Sequence, residues 1–119
     1  MKPNKEIIDL ARQLHNLGVK KEPEEGDWYT MFDSGITHMA SPVNLGLIVK
    51  YRHFIIPPLE WCLEWLREAK AAPVLYGWPF HWDVLYNDAD YATDENLHLA
   101  VLKAMVGVKT AESKQLDTP

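Results

Sequence analysis

The chain has 119 residues, 47% of them hydrophobic and 24% charged, which is enough apolar material for one domain around a single core. Twelve Lys and Arg stand against seventeen Asp and Glu, giving a net charge of −5 with no basic cluster, so no nucleic-acid surface is expected. The single cysteine, Cys62, excludes an intrachain disulfide and a cysteine-based zinc cluster, and no apolar run is long enough to span a bilayer.

The first predicted element is a helix from Asn4 to Leu17, with Ile7, Ile8, Ala11, Leu14 and Leu17 at helical spacing, Asn4 as N-cap and Gly18 as the left-handed C-cap. The N-terminal stretch is polar, without the apolar segment of a secretory signal, which predicts a cytoplasmic protein. A polar connector from Lys20 to Gly26 follows, and its acidic residues Glu22, Glu24, Glu25 and Asp27 read as a solvated loop. "DWYTMFD" alternates Trp28, Thr30 and Phe32 against Tyr29 and Met31, as a strand does. "SGITHMASPVNLG" is turn-rich, and Ser41-Pro42 argues against a regular element there. "LIVKYRHFII" is β-branched and aromatic and reads as a second strand, stopped by Pro57 and Pro58.

Those prolines open a second helix that is predicted to reach Ala72. Next comes an aromatic strand with Phe80, Trp82, Val84 and Tyr86 facing one way and His81, Asp83 and Leu85 the other. Asn87 to Asp90 is read as a turn, and Tyr91 begins a short return strand. Thr93 is read as the cap of a third helix carrying Leu97, Val101, Leu102, Met105 and Val108, with Gly107 as its end or a late interruption. Residues 1–109 are thus expected to form one α+β domain and residues 110–119 a frayed tail. The expected fold is a mostly antiparallel sheet of about four strands packed with three helices, in the order α-β-β-α-β-β-α.

The second helix carries the clearest surface question. At about 100° per residue, Cys62, Leu63 and Leu66 cluster with Leu59, while Glu60, Glu64, Arg67 and Glu68 lie opposite. Trp61, Trp65 and Ala69 extend the apolar arc to roughly 200°, wider than one sheet face covers. Their cover is the first helix or the Ser34–Leu45 loop, a self-association or partner surface, or a ligand cage.

Chemical signals are sparse. His81 and Asp83, two apart on a strand, share a face and suit an oriented imidazole or a metal ligand pair, but no second ligand pair stands at helical spacing nearby. His38 and His53, in the loop and strand before the second helix, meet His81 and Asp83 only if the fold brings them there; His15 and His98 read as polar or flanking helix positions, and Cys62 as a small core hydrophobe. No nucleophile elbow or phosphate loop is present. No catalytic residue, cofactor or metal is therefore assigned.

The segments "GDWY", "IIPPLEWCLEWLRE", "HWDVLY" and "YATDENLHLAVLKAM" together resemble small proteins of bacterial genomes and prophages that have no assigned activity. Gly26-Asp27-Trp28, Pro57-Pro58 and Thr93 with Glu95 carry the likeness, which departs at the final helix, where Thr93-Asp94-Glu95-Asn96-Leu97 replaces a more acidic opening. The resemblance implies an accessory role associated with phage or other mobile elements. The wide apolar arc of the second helix and the lack of a convergent polar triad point to a non-enzymatic interaction protein, with Trp61, Trp65 and Ala69 as the candidate surface for self-association or a protein partner. The alternative is a small ligand-binding domain or enzyme built on His81, Asp83 and nearby aromatics.

Overall fold

The computed structural model describes residues 2–48, 50, 52–69, 71–87 and 90–116, with side chains as far as Glu112. The backbone groups into two compact units, 1–58 and 59–119, and each is considered by itself.

The first unit opens with helix α1, Lys5–Asn16. Asn4 caps it by accepting the Ile7 N–H at 2.9 Å, which satisfies one of the orphan donors of the first turn. At its other end Gly18, at φ +94°, lets the Val19 N–H reach the Leu14 carbonyl at 2.9 Å and the Gly18 N–H reach that of His15 at 3.0 Å. That is a Schellman ending, which favours glycine because a Cβ is strained at positive φ.

Strands β1 (Trp28–Met31), β2 (Thr37–Met39) and β3 (His53–Ile56) form an antiparallel sheet in the order β2-β1-β3. Thr30 sits opposite Thr37 on one side and Phe54 on the other. The Thr30 and Thr37 hydroxyls are 2.8 Å apart, so a buried polar pair satisfies itself. Helix α1 packs on β3, with Arg12 stacked 5.4 Å from the Phe54 ring centre. On the opposite face Tyr29, Ala40, Ile48 and Ile55 form a buried cluster.

Ile48 belongs to a one-turn helix, α2 (Leu45–Ile48). The segment "SGITHMASPVNLG" therefore contains a strand and leads into a helical turn, and among the described residues of "LIVKYRHFII" the last four are the strand. The turn is set by Ser41 and Asn44: the Ser41 N–H donates to Asn44 Oδ1 at 2.7 Å, and the Leu45 N–H to the Ser41 carbonyl at 3.0 Å. Tyr29 and Thr30 point to opposite faces, as the expected alternation requires, and both are buried because both faces of the sheet are covered.

In the second unit, α3 (Leu59–Glu68) follows Pro57-Pro58 and packs on α4 (Leu97–Leu116). Strands β4 (Val74–Gly77), β5 (Trp82–Tyr86) and β6 (Asp90–Asp94) make a second antiparallel sheet in the order β4-β5-β6. Helix α4 packs on β5 and β6, covering the face that carries Val84 and Ala92.

The fold is thus α+β, with four helices and two three-stranded sheets among the described residues rather than three helices and one sheet of about four strands. Three further expectations are corrected. Thr93 lies inside β6, paired with Asp83, and α4 is capped instead by Asn96, whose Oδ1 accepts the Leu99 N–H at 3.1 Å. Asp94 and Glu95 accordingly precede the helix, and Asp94 accepts the Asn96 N–H at 2.9 Å. Gly107 neither ends nor interrupts α4, which extends to Leu116; residues 117–119 of the expected tail lie outside the described residues. The turn expected at Asn87–Asp90 begins with Asn87 at φ +54°, while Asp88 and Ala89 fall outside the described residues. No helix of the described residues is long and apolar enough to cross a membrane.

Candidate functional site

The most exposed apolar surface of the second unit is its second sheet, on the face turned away from α4. Side chains alternate across a strand, so the register Val74↔Leu85↔Tyr91 and Tyr76↔Asp83↔Thr93 places these six residues in two rows on that face. Val74 and Tyr76 are each 42% exposed and Tyr91 is 59% exposed. At the end of the β4–β5 hairpin, Trp78 (54%) and Phe80 (87%) stand further into solvent. Phe80 lies in the hairpin loop, so it does not share the face of Trp82, Val84 and Tyr86 as the sequence suggests.

Asp83 is the polar centre of this face. Thr93 donates its hydroxyl to Oδ1 at 2.6 Å, and the Trp78 indole N–H donates to Oδ2 at 2.9 Å. His81 Nε2 lies 3.5 Å from Oδ2, and its ring stacks on Trp78 with centroids 6.1 Å apart. The Thr93 hydrogen bond, helped by the positive side of His81 and the indole N–H, holds the Asp83 carboxyl below its ordinary range. Two neutral donors leave the carboxylate its charge, so this is a fixed negative point in an aromatic surround.

His81 and Asp83 are therefore brought together as their spacing suggests, but with Trp78 and Thr93 as partners that the sequence reading did not select. The spacing of Thr93 from Tyr91 on a β-branched, aromatic run was the available signal. Among the described residues, no group of three His, Cys, Asp or Glu side chains is placed to hold a metal ion. Cys62 is buried, and burial raises its thiol pKa far above the ordinary value, which removes it as a nucleophile.

Trp61, Trp65 and Ala69 are half-buried on α3, beside the fully buried Cys62 and Leu66 of the same helix. A hollow of about 390 Å³ lies in the first unit between His15, Lys20, Lys21, Glu22, Pro23 and His53 to Ile55. Its Lys21 is committed: the ammonium is 2.5 Å from Asp27 Oδ2 and 3.5 Å from Glu24. Asp27 is buried as well, so it is an internal partner and not one of the solvated acids of the connector. His15 lies tilted against Phe32 with ring centres 5.3 Å apart, and burial, reinforced by Lys20, His53 and Arg52, lowers its pKa.

No family model, no curated protein and no solved structure matches the chain.

Proposed function

We propose that this is a non-enzymatic interaction protein and that its binding surface is the open face of the β4-β5-β6 sheet. The observation that carries this is the contiguous exposed set Val74, Tyr76, Trp78 and Tyr91, because exposed aromatic patches of this kind mark protein contacts. An accessory role of the sort implied by the likeness to small bacterial and prophage proteins fits such a surface. The half-buried Trp61, Trp65 and Ala69 offer less accessible area and take second place as a contact. The test is affinity capture from extract of the host cell, with the wild type compared with Tyr91→Lys and Trp78→Ala. Proteins retained by the wild type should be lost with both variants while the circular dichroism spectrum is unchanged. Retention of the same proteins by all three would overturn the proposal.

The Asp83 carboxylate, held beside the stacked Trp78 and His81 rings, favours a second reading, a shallow site for a small cationic group. Choline or arginine should then raise the melting temperature of the wild type and leave Asp83→Asn unmoved. Equal shifts in both proteins would remove this reading.

A further inference from the structure

The exposed apolar surface does not stop at the sheet face. It continues onto the edge strand β4, all four of whose residues are exposed. Edge strands present unpaired N–H and C=O groups and are ordinarily protected by charges, bulges or a covering element. Between Ala71 and Trp82 the sequence contains no Asp, Glu, Lys or Arg at all, although the chain as a whole carries a net charge of −5. The prolines at 73 and 79 bracket the strand without interrupting it.

The ladder shows which groups of β4 point outward. The Trp78 N–H donates to the His81 carbonyl at 2.9 Å, which makes Trp78 and His81 a hydrogen-bonded pair. Antiparallel ladders alternate such pairs with non-bonded ones, so Tyr76/Asp83 and Val74/Leu85 are also hydrogen-bonded pairs and Leu75/Val84 and Gly77/Trp82 are not. The N–H and C=O groups of Leu75 and Gly77 therefore point away from β5, out of the sheet edge.

This arrangement is self-complementary. When a second β4 lies antiparallel and symmetric about Tyr76, Leu75 of one copy faces Gly77 of the other, and both pairs related by the two-fold exchange their outward N–H and C=O groups. That gives four backbone hydrogen bonds in the geometry an antiparallel ladder requires. Tyr76 then faces Tyr76 as a close, non-bonded pair about 4.5 Å apart at Cα. Val74 meets Trp78 of the other copy on the same face, which joins exposed apolar residues on each side. On the opposite face Leu75 lies over Gly77, whose missing side chain leaves its place to the Trp82 ring, 3.1 Å from where a Cβ would stand. No charged side chain lies on either strand to oppose the approach.

We infer that β4 pairs with β4 of a second copy of this chain, joining two three-stranded sheets into one six-stranded antiparallel sheet with an isologous interface. The inference rests on reading this region as an interaction surface and names its occupant. The interface is small, at the low end of the range below about 1,200 Å² that is typical of weak complexes, so association is expected in the micromolar range.

Sedimentation velocity of the wild-type protein across a concentration series is the test. A monomer–dimer equilibrium should be seen, and Tyr76→Lys should weaken it by about tenfold or more by placing two ammonium groups face to face. Leu75→Pro should do the same. It deletes an N–H that points outward, so it leaves the β4–β5 ladder intact. As an independent readout, Tyr76→Cys should form an intermolecular disulfide on mild oxidation, because a non-bonded antiparallel pair matches the required Cα separation. Phe80→Cys, carried far from its symmetry mate by the antiparallel arrangement, should not. A wild type that stays monomeric at about 100 μM, a dimer that survives both Tyr76→Lys and Leu75→Pro, or equal trapping at 76 and 80 would overturn the inference. A monomeric wild type whose captured partner proteins are still lost with Tyr91→Lys would remove the second copy while leaving the broader interaction reading intact.

Discussion

The phenol of Tyr86 occupies the space where a side chain on residue 107 would begin: a Cβ built on Gly107 would come within 2.7 Å of Tyr86 Cζ and closer still to its hydroxyl. Glycine in the middle of a 20-residue helix is a local weakness, worth about 1 kcal/mol against alanine. Here the close approach of strand β5 outweighs it. Gly107→Ala should therefore destabilise the protein by about 1–2 kcal/mol instead of stabilising it, since overpacking outweighs the gain in helix propensity. In a Tyr86→Leu background the same substitution should become neutral or stabilising. Urea denaturation of the four proteins of that cycle measures the coupling.

Asp27 and Lys21 form the one ion pair among the described residues in which both side chains are almost wholly buried, with 9% and 6% of their surfaces exposed. Asp27 also accepts the Glu24 N–H at 3.0 Å, so it organises the connector as well as neutralising the lysine. Asp27→Asn keeps that acceptor but leaves the ammonium only the Glu22 carbonyl at 3.1 Å and the exposed Glu24 carboxylate at 3.5 Å, at a cost of about 3 kcal/mol. The double substitution Lys21→Met, Asp27→Asn should recover most of the loss in the same denaturation experiment.

His15 makes stability depend on pH in a defined direction. Its folded-state pKa lies below 6.5, first because of burial and then because of Lys20, His53 and Arg52. The unfolded chain therefore binds the proton more readily, and the contribution of neutral His15 is complete above 6.5 and lost as pH falls through that region. Asp83 and Asp94 act lower. The Thr93 hydroxyl lowers the pKa of Asp83, and burial of Asp94 is outweighed by Lys103 and backbone donors, so their contributions fade only as pH falls below 3.8. Melting temperature should decline between pH 7.5 and 5 in the wild type and decline less in His15→Leu.

The start of α4 supplies a sharper test of capping. Asn96→Ala should cost about 1 kcal/mol and Asn96→Asp almost nothing, because either Asn or Asp can accept the Leu99 N–H. Thr93→Ala should leave the helix end untouched. It should instead let the Asp83 carboxyl titrate closer to its ordinary value, a change that carbon-detected NMR titration resolves.

Local signals were legible wherever one residue does the structural work. Asn4 and Gly18 marked the ends of α1 on spacing alone, and Pro57-Pro58 marked the start of α3. Long-range choices were not. Leu47 and Ile48 open a run with strand propensity, yet they belong to the helical turn Leu45–Ile48, which Ser41 and Asn44 tie and whose Ile48 joins the buried cluster around Tyr29. Two acceptable caps, Thr93 and Asn96, stood three residues apart, and pairing with Asp83 claimed the threonine for the sheet. At the candidate site, the proximity of His81 and Asp83 followed from their spacing. Trp78 reaches Asp83 only through the hairpin, which no local pattern announces.

Cys62 has a practical consequence. Its sulfur is sealed inside the second unit, on the helix that packs against α4, and its proton is held tightly by the apolar surround. Alkylating reagents reach it only when that helix pair parts, so the rate at which native protein acquires a single label is a stopwatch for the opening of the second unit, recorded without introducing any probe.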